Sequence, residues 1–175
     1  MKRLLLLRHA KAEQDSGEGD FARALSERGR SDAALIGHYM ETHAYWPGAV
    51  LCSMSKRTVE TWDLIKRELA RAPEPKFLKG LYLAAPKQIL NALQGASEAA
   101  ALTLMIGHNP GMELTTMRLA REPGSRDQKE RHERLAEKFS TCALAVLEFD
   151  VNAWRDVASA TGILADFVRP RDLRD

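Results

Sequence analysis

Four side chains that could bind or transfer a phosphate group stand just after short apolar runs. They are Arg8, His9, Arg57 and His108. The guanidinium fork of arginine matches the oxygens of a phosphate, and the free N–H groups where a helix begins bind the same anion. A histidine placed among such groups is a candidate participant in the chemistry. The pattern therefore predicts a phosphate cradle.

Each of these residues also has an ordinary structural interpretation. An arginine-histidine pair after a strand often lies at the surface, Arg57 alone would suit a solvated helix, and His108 could cap the helix that follows it. Their coincidence after three separate apolar runs favours a functional site instead. Three other histidines lack such a placement and are interpreted as helix-surface residues: His38, His43 and His132.

The apolar runs and helical spacings predict strands that alternate with helices. Strands are expected at 3–7, 49–53, 76–78, 102–106, 143–149 and 162–168. Helices are expected from Ser26 to about His43, from Ser55 to before Pro73, from Pro86 to Leu93, from Pro110 to Ala120, and within the charged segment 121–138. This alternation is typical of parallel βαβ units.

The predicted fold is a three-layer α/β/α sandwich with a mostly parallel sheet and at least one antiparallel strand near the C-terminus. One domain is expected to cover residues 1–175, because the chain shows no repeat, linker or break in composition. Ligands of such sheets bind beyond the carboxyl ends of the strands. The four candidate side chains would all lie at that edge.

Composition narrows the classes of function. The 26 lysines and arginines nearly balance the 24 acidic residues, so the chain has no strong field for nucleic acid or an acidic membrane. No run approaches the roughly 18 apolar residues of a membrane span, and we predict a cytoplasmic monomer. Cys52 and Cys142 lie in apolar runs and are expected to be buried free thiols. No His, Cys or carboxylate cluster has metal-ligand spacing, so neither a metal nor a cofactor is predicted.

The ordered motifs resemble those of the histidine phosphatase superfamily, which includes phosphoglycerate mutases and acid phosphatases. The resemblance rests on Leu7-Arg8-His9, on 23–29, on Ser53 with Arg57 and Thr61, and on Gly107-His108-Asn109-Pro110. It covers residues 2 to about 120 and, more loosely, the remainder through Pro170. Among the branches, the short length and the Gly-His-Asn-Pro-Gly turn are most similar to the SixA-type phosphohistidine phosphatases.

The resemblance implies a phosphoglycerate mutase-like fold and a phosphatase that needs no metal. His9 would be the nucleophile and would form a phosphohistidine intermediate. Arg8, Arg57 and His108 would bind the phosphoryl oxygens. Weaker candidates for shaping the substrate pocket are Arg23, Ser53 and Asn109.

Two departures from the wider family bear on the reaction. Ala10 stands where the superfamily commonly has glycine, and no carboxylic acid occupies the usual donor positions. Asn109 replaces the aspartate of acid phosphatases, and residues 77–87 lack the glutamate of mutases. A phosphohistidine substrate can expel a neutral imidazole, so such an enzyme can work without that acid. Glu13, Asp20 and Glu113 are possible donors from loops, or ordinary surface carboxylates.

The leading prediction is a phosphatase for phosphohistidine on proteins. The loop between His9 and Ser26 and the link from Leu78 to Pro86 are short, which predicts a shallow, open pocket. A phosphatase for small phosphate esters and a non-catalytic phosphate-binding module are the alternatives, and a pure binder would not need His9. A nucleotide-binding protein is disfavoured because the chain lacks a glycine-rich Walker or dinucleotide turn.

Overall fold

The structure is a computed structural model that describes residues 1–174. The strands of this part of the chain are β1 (Lys2–Arg8), β2 (Ala49–Ser53), β3 (Lys76–Leu78), β4 (Leu102–Gly107), β5 (Leu144–Phe149) and β6 (Ile163–Val168). The helices are α1 (Glu27–Thr42), α2 (Lys56–Glu68), α3 (Pro86–Gln94), α4 (Gly111–Leu119) and α5 (Arg126–Glu137).

The strands form one sheet in the order β3-β2-β4-β1-β5-β6. β3, β2, β4 and β1 run parallel to one another, whereas β5 is antiparallel to both β1 and β6. The register pairs Arg8 with Gly107 and Cys52 with Ile106. The carboxyl ends of β1, β2 and β4 therefore meet at one edge of the sheet.

The sheet is covered by helices on both faces, as the continuous apolar run of β1 requires. Leu5 and Leu7 pack into a cluster with residues of α1 and α2, including Ile36 and Trp62. Leu4, on the opposite face, belongs to a second cluster that draws on α3, α4 and α5. The predicted three-layer α/β/α architecture, with its antiparallel strand, is confirmed.

Helix α1 begins at the capping residue predicted from the sequence. The hydroxyl of Ser26 accepts a hydrogen bond from the backbone N–H of Gly29 at 3.1 Å. A β-carbon at Gly29 would lie 1.9 Å from the carbonyl oxygen of Lys11, so only glycine lets the helix pack this closely on the segment that follows β1. α4 begins at Gly111, one residue later than predicted.

Several details differ from the sequence prediction. The segment predicted as a loop between residues 10 and 24 contains a single-turn 3-10 helix, Asp20–Ala22, and a second one, Lys79–Leu81, follows β3. Cys52 and Cys142 are buried free thiols, as expected. No helix among residues 1–174 is long and apolar enough to cross a membrane.

Candidate active site

The carboxyl ends of three strands bring the candidate residues together. His9 follows β1, His108 follows β4, and Arg57 lies in the first turn of α2, just beyond β2. The two imidazole ring centroids are 5.2 Å apart. His9 is 8% exposed, while Arg57 and His108 are each 2% exposed. The cluster is therefore largely shielded from water.

The hydrogen bonds of His9 fix its tautomer. The Nε of Arg57 can only donate, and it lies 3.3 Å from His9 Nε2, so Nε2 carries a lone pair. The proton is then on Nδ1, which donates to the carbonyl oxygen of Ala10 at 2.7 Å. Burial lowers the pKa of His9 to about 3, and the charges of His108, Arg57 and Arg8 add to this effect. His9 is a neutral imidazole whose free nitrogen faces a cation.

The turn after β1 is held by a residue to which the sequence analysis gave no role. The hydroxyl of Thr61 accepts a hydrogen bond from the backbone N–H of Ala10 at 3.0 Å and donates to the carbonyl of Arg57 at 2.6 Å. Thr61 lies one helical turn after Arg57, on the same buried face of α2, and this spacing was a usable signal. Ala10, which replaces the common glycine, is fully buried in this turn.

His108 is oriented by a partner on each ring nitrogen. Its Nδ1 accepts from a terminal nitrogen of Arg57 at 3.3 Å, and its Nε2 donates to the hydroxyl of Ser53 at 2.8 Å. Burial lowers the pKa of His108 to about 4, and the charge of Arg57 adds to this. Ser53 thus contacts His108 and not the pocket, whose lining does not include it.

Arg8 presents a buried N–H that lacks an acceptor. One terminal nitrogen donates to the carbonyl of Phe139 at 2.9 Å, whereas Nε has no partner among residues 1–174. Burial lowers the pKa of Arg8 from its usual value. A buried donor without a partner is costly, and a phosphoryl oxygen is an acceptor of the right charge.

Asp20 binds three donors at the opposite side of the site. Its carboxylate accepts from Arg57 and from Arg23, each at 3.0 Å, and from the hydroxyl of Tyr82. The carbonyl of Asp20 also accepts from Arg57, at 2.7 Å. The bond from Tyr82 lowers the pKa of Asp20 to about 2, and the contact with Arg57 contributes. The carboxylate is therefore ionised at neutral pH.

These contacts join the two loops beside the pocket. Tyr82, which the sequence analysis also missed and for which no sequence signal was available, stacks edge-on against Phe21 with ring centroids 4.9 Å apart. The 3-10 helix at Asp20 thus reaches across to the link after β3. The loops are short, as expected, and they meet beside the pocket, whose lining includes Asp20 and Leu83 but neither Phe21 nor Tyr82. That the pocket is shallow and open stays a prediction.

The pocket has a volume of about 370 Å³. Its lining includes Arg8, Lys11, Arg23, Arg57, His9 and His108. Asn109 also lines it, but its Nδ2 already donates to Glu113 at 2.9 Å and to the carbonyl of Phe139 at 3.2 Å. Glu13 and Glu113 are not among the lining residues. The site is a cationic cup around one neutral nucleophilic nitrogen.

No group of three or more His, Cys, Asp or Glu side chains within residues 1–174 could hold a metal ion. The cationic groups of the pocket are instead guanidinium and ammonium groups. Two arginines beside a neutral imidazole can bind the oxygens of a phosphoryl group and let the imidazole attack its phosphorus.

Comparison with known proteins places this geometry in context. The model of the histidine phosphatase superfamily (branch 1) matches residues 4–81. An uncharacterized protein of Mycobacterium tuberculosis strain H37Rv is 30% identical over 165 residues, which span 94% of this chain and 100% of the relative.

Two solved structures of proteins assigned as the phosphohistidine phosphatase SixA are similar along nearly the whole chain. The one from Nakamurella multipartitia shares 26% identity with a TM-score of 0.82, covering 97% of this chain and 96% of its own. The one from Agrobacterium tumefaciens shares 28% identity with a TM-score of 0.77, covering 97% of this chain and 98% of its own.

Proposed function

Because this chain belongs to the histidine phosphatase superfamily and is a phosphatase of that type, we propose that it removes phosphoryl groups from phosphohistidine on proteins. In this proposal His9 carries the covalent intermediate. The observation that carries the proposal is the orientation of the His9 ring. Its Nε2, which carries the lone pair, lies 3.3 Å from Nε of Arg57 inside the cationic cup. The similarity to two proteins assigned as SixA supports the substrate class.

The first chemical step follows from these contacts. His9 Nε2 attacks the phosphorus, the new N–P bond forms, and the P–N bond to the substrate imidazole breaks. Arg8 and Arg57 hold equatorial oxygens, where negative charge is concentrated in the transition state. His108 holds the third by turning its one N–H, on Nε2, from Ser53 to the phosphoryl group, or by taking up a proton on Nδ1 when Arg57 leaves that nitrogen. Arg57 must exchange its bond to His9 Nε2 for a phosphoryl oxygen as the lone pair is used. The arginines supply the positive charge without a metal.

The leaving group explains why the site lacks a carboxylic acid. A substrate imidazole that is protonated on its second nitrogen leaves as a neutral ring, whereas an alkyl phosphate must expel an alkoxide. Asp20 is the one carboxylate in the described lining of the pocket, but with a pKa of about 2 it holds no proton to give. The substrate's own ring proton therefore replaces a donor from the enzyme.

The second step regenerates the enzyme. A water molecule attacks the phosphorus, the bond to His9 Nε2 breaks with its electron pair returning to that nitrogen, and inorganic phosphate leaves with the oxygen and both protons of that water. The hydrogen bond from Nδ1 to the carbonyl of Ala10 holds the ring in place through both steps. The neutral imidazole that remains is the starting state.

A phosphatase for small phosphate esters is a second candidate. The loop that carries Asp20 contacts the link after β3 beside the pocket, through Phe21 and Tyr82, and this contact favours a compact substrate over one displayed on a protein. Such an enzyme would need a proton donor, and binding of the ester would have to raise the pKa of Asp20 far above its value in the free enzyme.

Specificity constants separate the two candidates. The purified protein is incubated with a phosphohistidine-bearing protein and, separately, with a panel of sugar, glycerate and serine phosphates, and phosphate release is followed. We expect kcat/KM for the phosphohistidine protein to exceed that of every ester by about 100-fold or more, because the site lacks an acid for the alkoxide. His9→Ala is the control for catalysis by the pocket. An ester hydrolysed faster than the phosphohistidine protein would contradict the proposal.

A further inference from the structure

A second pocket, which we call the basic pocket, adjoins the catalytic one. Its volume is about 420 Å³, and it shares Arg8, Lys11 and Thr141 with the lining of the catalytic pocket. Six of the residues that line it are cationic: Arg8, Lys11, Arg28, Lys138, Arg169 and Arg171. A ligand that reaches His9 could therefore extend into the basic pocket without leaving the surface of the protein.

The cations of the basic pocket outnumber the carboxylates that could neutralise them. Asp32 is the only carboxylate in its lining, and it already binds Arg174 and lies 3.9 Å from Arg28. Lys11 and Lys138 form no ion pair with any residue of 1–174, whereas Arg169 and Arg171 are paired with Glu137 and Asp172. The pocket thus holds positive charge that the described chain does not compensate.

The wall of the basic pocket is fixed by an ion-pair network. Arg169 is 4% exposed, and it donates to Asp172 at 3.0 Å and to Glu137 at 2.8 Å. These bonds tie the segment after β6 to the end of α5. Arg171 reaches the same Glu137 at 2.8 Å. Lys138 follows α5 directly, so its backbone is held in place by these ion pairs.

We propose that the basic pocket binds acidic side chains in the segment that flanks the phosphohistidine of the partner protein. This inference rests on the proposed function, because it needs a peptide chain on both sides of the phosphorylated residue. Pockets for small molecules are mostly apolar and enclose their ligand, whereas this lining is mostly cationic. Arg28 and Arg171 keep 63% and 52% of their side-chain surface exposed, so a folded partner can reach them.

The physical consequence is a preference for acidic flanks that depends on salt. Exposed ion pairs contribute little each and are screened by added ions, but they raise the rate of encounter and select partners by charge. The preference therefore appears in KM and in kcat/KM, while kcat stays nearly constant once the phosphohistidine is bound.

The test uses two phosphohistidine peptides that differ only in four flanking positions, which are aspartate in one and asparagine in the other. At low salt we expect the wild-type protein to favour the acidic peptide by about tenfold in kcat/KM, and at 0.5 M NaCl by less than about twofold. In K138Q the preference at low salt should fall about threefold through KM, with the neutral peptide unaffected. The matched control is K129Q, which removes the same charge from an exposed position of α5 outside the pocket.

The outcomes distinguish the inference from the proposed function. Equal turnover of both peptides at low salt would overturn the acidic-flank assignment and leave the proposed function intact. An equal loss on both peptides in K138Q would likewise overturn it, since the lysine would then act on the phosphoryl group or on folding. If the protein hydrolyses neither peptide but cleaves a small ester, both proposals are wrong. A bisphosphorylated small molecule that outcompetes the acidic peptide would overturn the assignment of a protein segment.

Discussion

The catalytic pocket has two walls of opposite character. The strand-end wall, made by His9, Arg57 and His108, is at most 8% exposed and hydrogen-bonded throughout. The loop wall is made by Asp20, Arg23 and Leu83, with Tyr82 bonded to Asp20 and packed against Phe21. Phe21 is 41% and Leu83 57% exposed, and the side chain of Asp20 is 47% exposed. Both walls face one pocket, yet they come from different kinds of structure.

This difference separates the chemistry from the admission of substrate. Groups buried at strand ends keep their orientation and act in a weakly screened environment, where charge stabilises a transition state most. Groups on the loop wall are more exposed to solvent and can move without disturbing the sheet. Arg57 is the junction, because its guanidinium contacts His9 on one wall and Asp20 on the other.

The largest effect should come from His9, the proposed nucleophile, in the strand-end wall. His9→Ala should lower the turnover of a phosphohistidine protein by at least about 1,000-fold, because no other group in the cup carries a free lone pair at that position. The wild-type protein, denatured in base during turnover, should retain a base-stable, acid-labile phosphoryl label on His9. A label on another residue, or undiminished turnover in the variant, would end the assignment.

A pair of arginine substitutions compares the two walls directly. Arg57→Lys should lower kcat/KM by about 100-fold, because an ammonium group cannot hold His9, His108 and a phosphoryl oxygen at once. Arg23→Lys, on the loop wall, should change it by less than about threefold, since Arg23 lines the pocket but donates to Asp20 and to the carbonyl of Glu13, not to His9 or His108. Steady-state kinetics of the two variants check this. Equal losses of kcat/KM in the two variants would show that both walls contribute equally to the reaction.

The loss of folding stability in acid should also arise from the strand-end wall. The folded pKa values of His9 and His108 are about 3 and 4, below the unfolded value of 6.5. Below pH 6.5 the unfolded chain therefore binds protons at these histidines that the folded chain does not bind. Their contribution to the free energy of unfolding is fully present above pH 6.5 and falls as the pH drops towards the folded pKa values. At pH 5.5, one unit below the unfolded pKa, each histidine should cost about 1.4 kcal/mol.

Denaturant unfolding at pH 7.5 and 5.5 measures this cost. The double variant H9N/H108N should lose less stability between the two pH values than the wild-type protein does. The loop wall contributes nothing in this window, because the lowered pKa of Asp20 makes its stabilisation vanish only below about pH 4, as the pH falls towards about 2. Identical acid losses in wild type and variant would contradict the neutral, buried state of the histidines.

The smallest effect is expected for Asp20. Asp20→Asn should leave kcat on a phosphohistidine protein within about threefold, because the carboxylate is ionised and bound by three donors. Inorganic phosphate should inhibit this variant more strongly, since a competing anion next to Arg57 has been removed. A loss of 100-fold or more in kcat would instead identify Asp20 as a proton donor.

The strand-end wall could be predicted from the sequence, whereas for the loop wall Arg23 and Asp20 were named as candidates but their contacts could not be predicted. Apolar runs followed at once by Arg8-His9 or Gly107-His108 locate strand ends, and the edge of a parallel sheet then brings those ends together. The positions of Asp20 and Tyr82 depend on how two loops fold over that edge. Neither residue stands in a periodic pattern, so their contact has no local signal.

The basic pocket was missed for a related reason. Its cations come from the turn after β1, from α1, from the end of α5 and from the segment after β6, which are far apart in the chain. The overall charge of +2 conceals them, because a balanced composition says nothing about where charges cluster. The boundary of α5 within the charged segment 121–138 was uncertain because that helix buries only Leu135.

The carbonyl of Ala10 has a consequence for the isomer of the enzyme intermediate. By occupying the N–H on Nδ1, it leaves Nε2 as the one ring nitrogen that can accept the phosphoryl group in the proposed reaction. The intermediate would then be the tele isomer, phosphorylated on the nitrogen remote from the backbone, whatever isomer the substrate carries. ³¹P NMR distinguishes tele from pros phosphohistidine, so the regiochemistry of the trapped enzyme reports directly on the hydrogen bond behind its nucleophile.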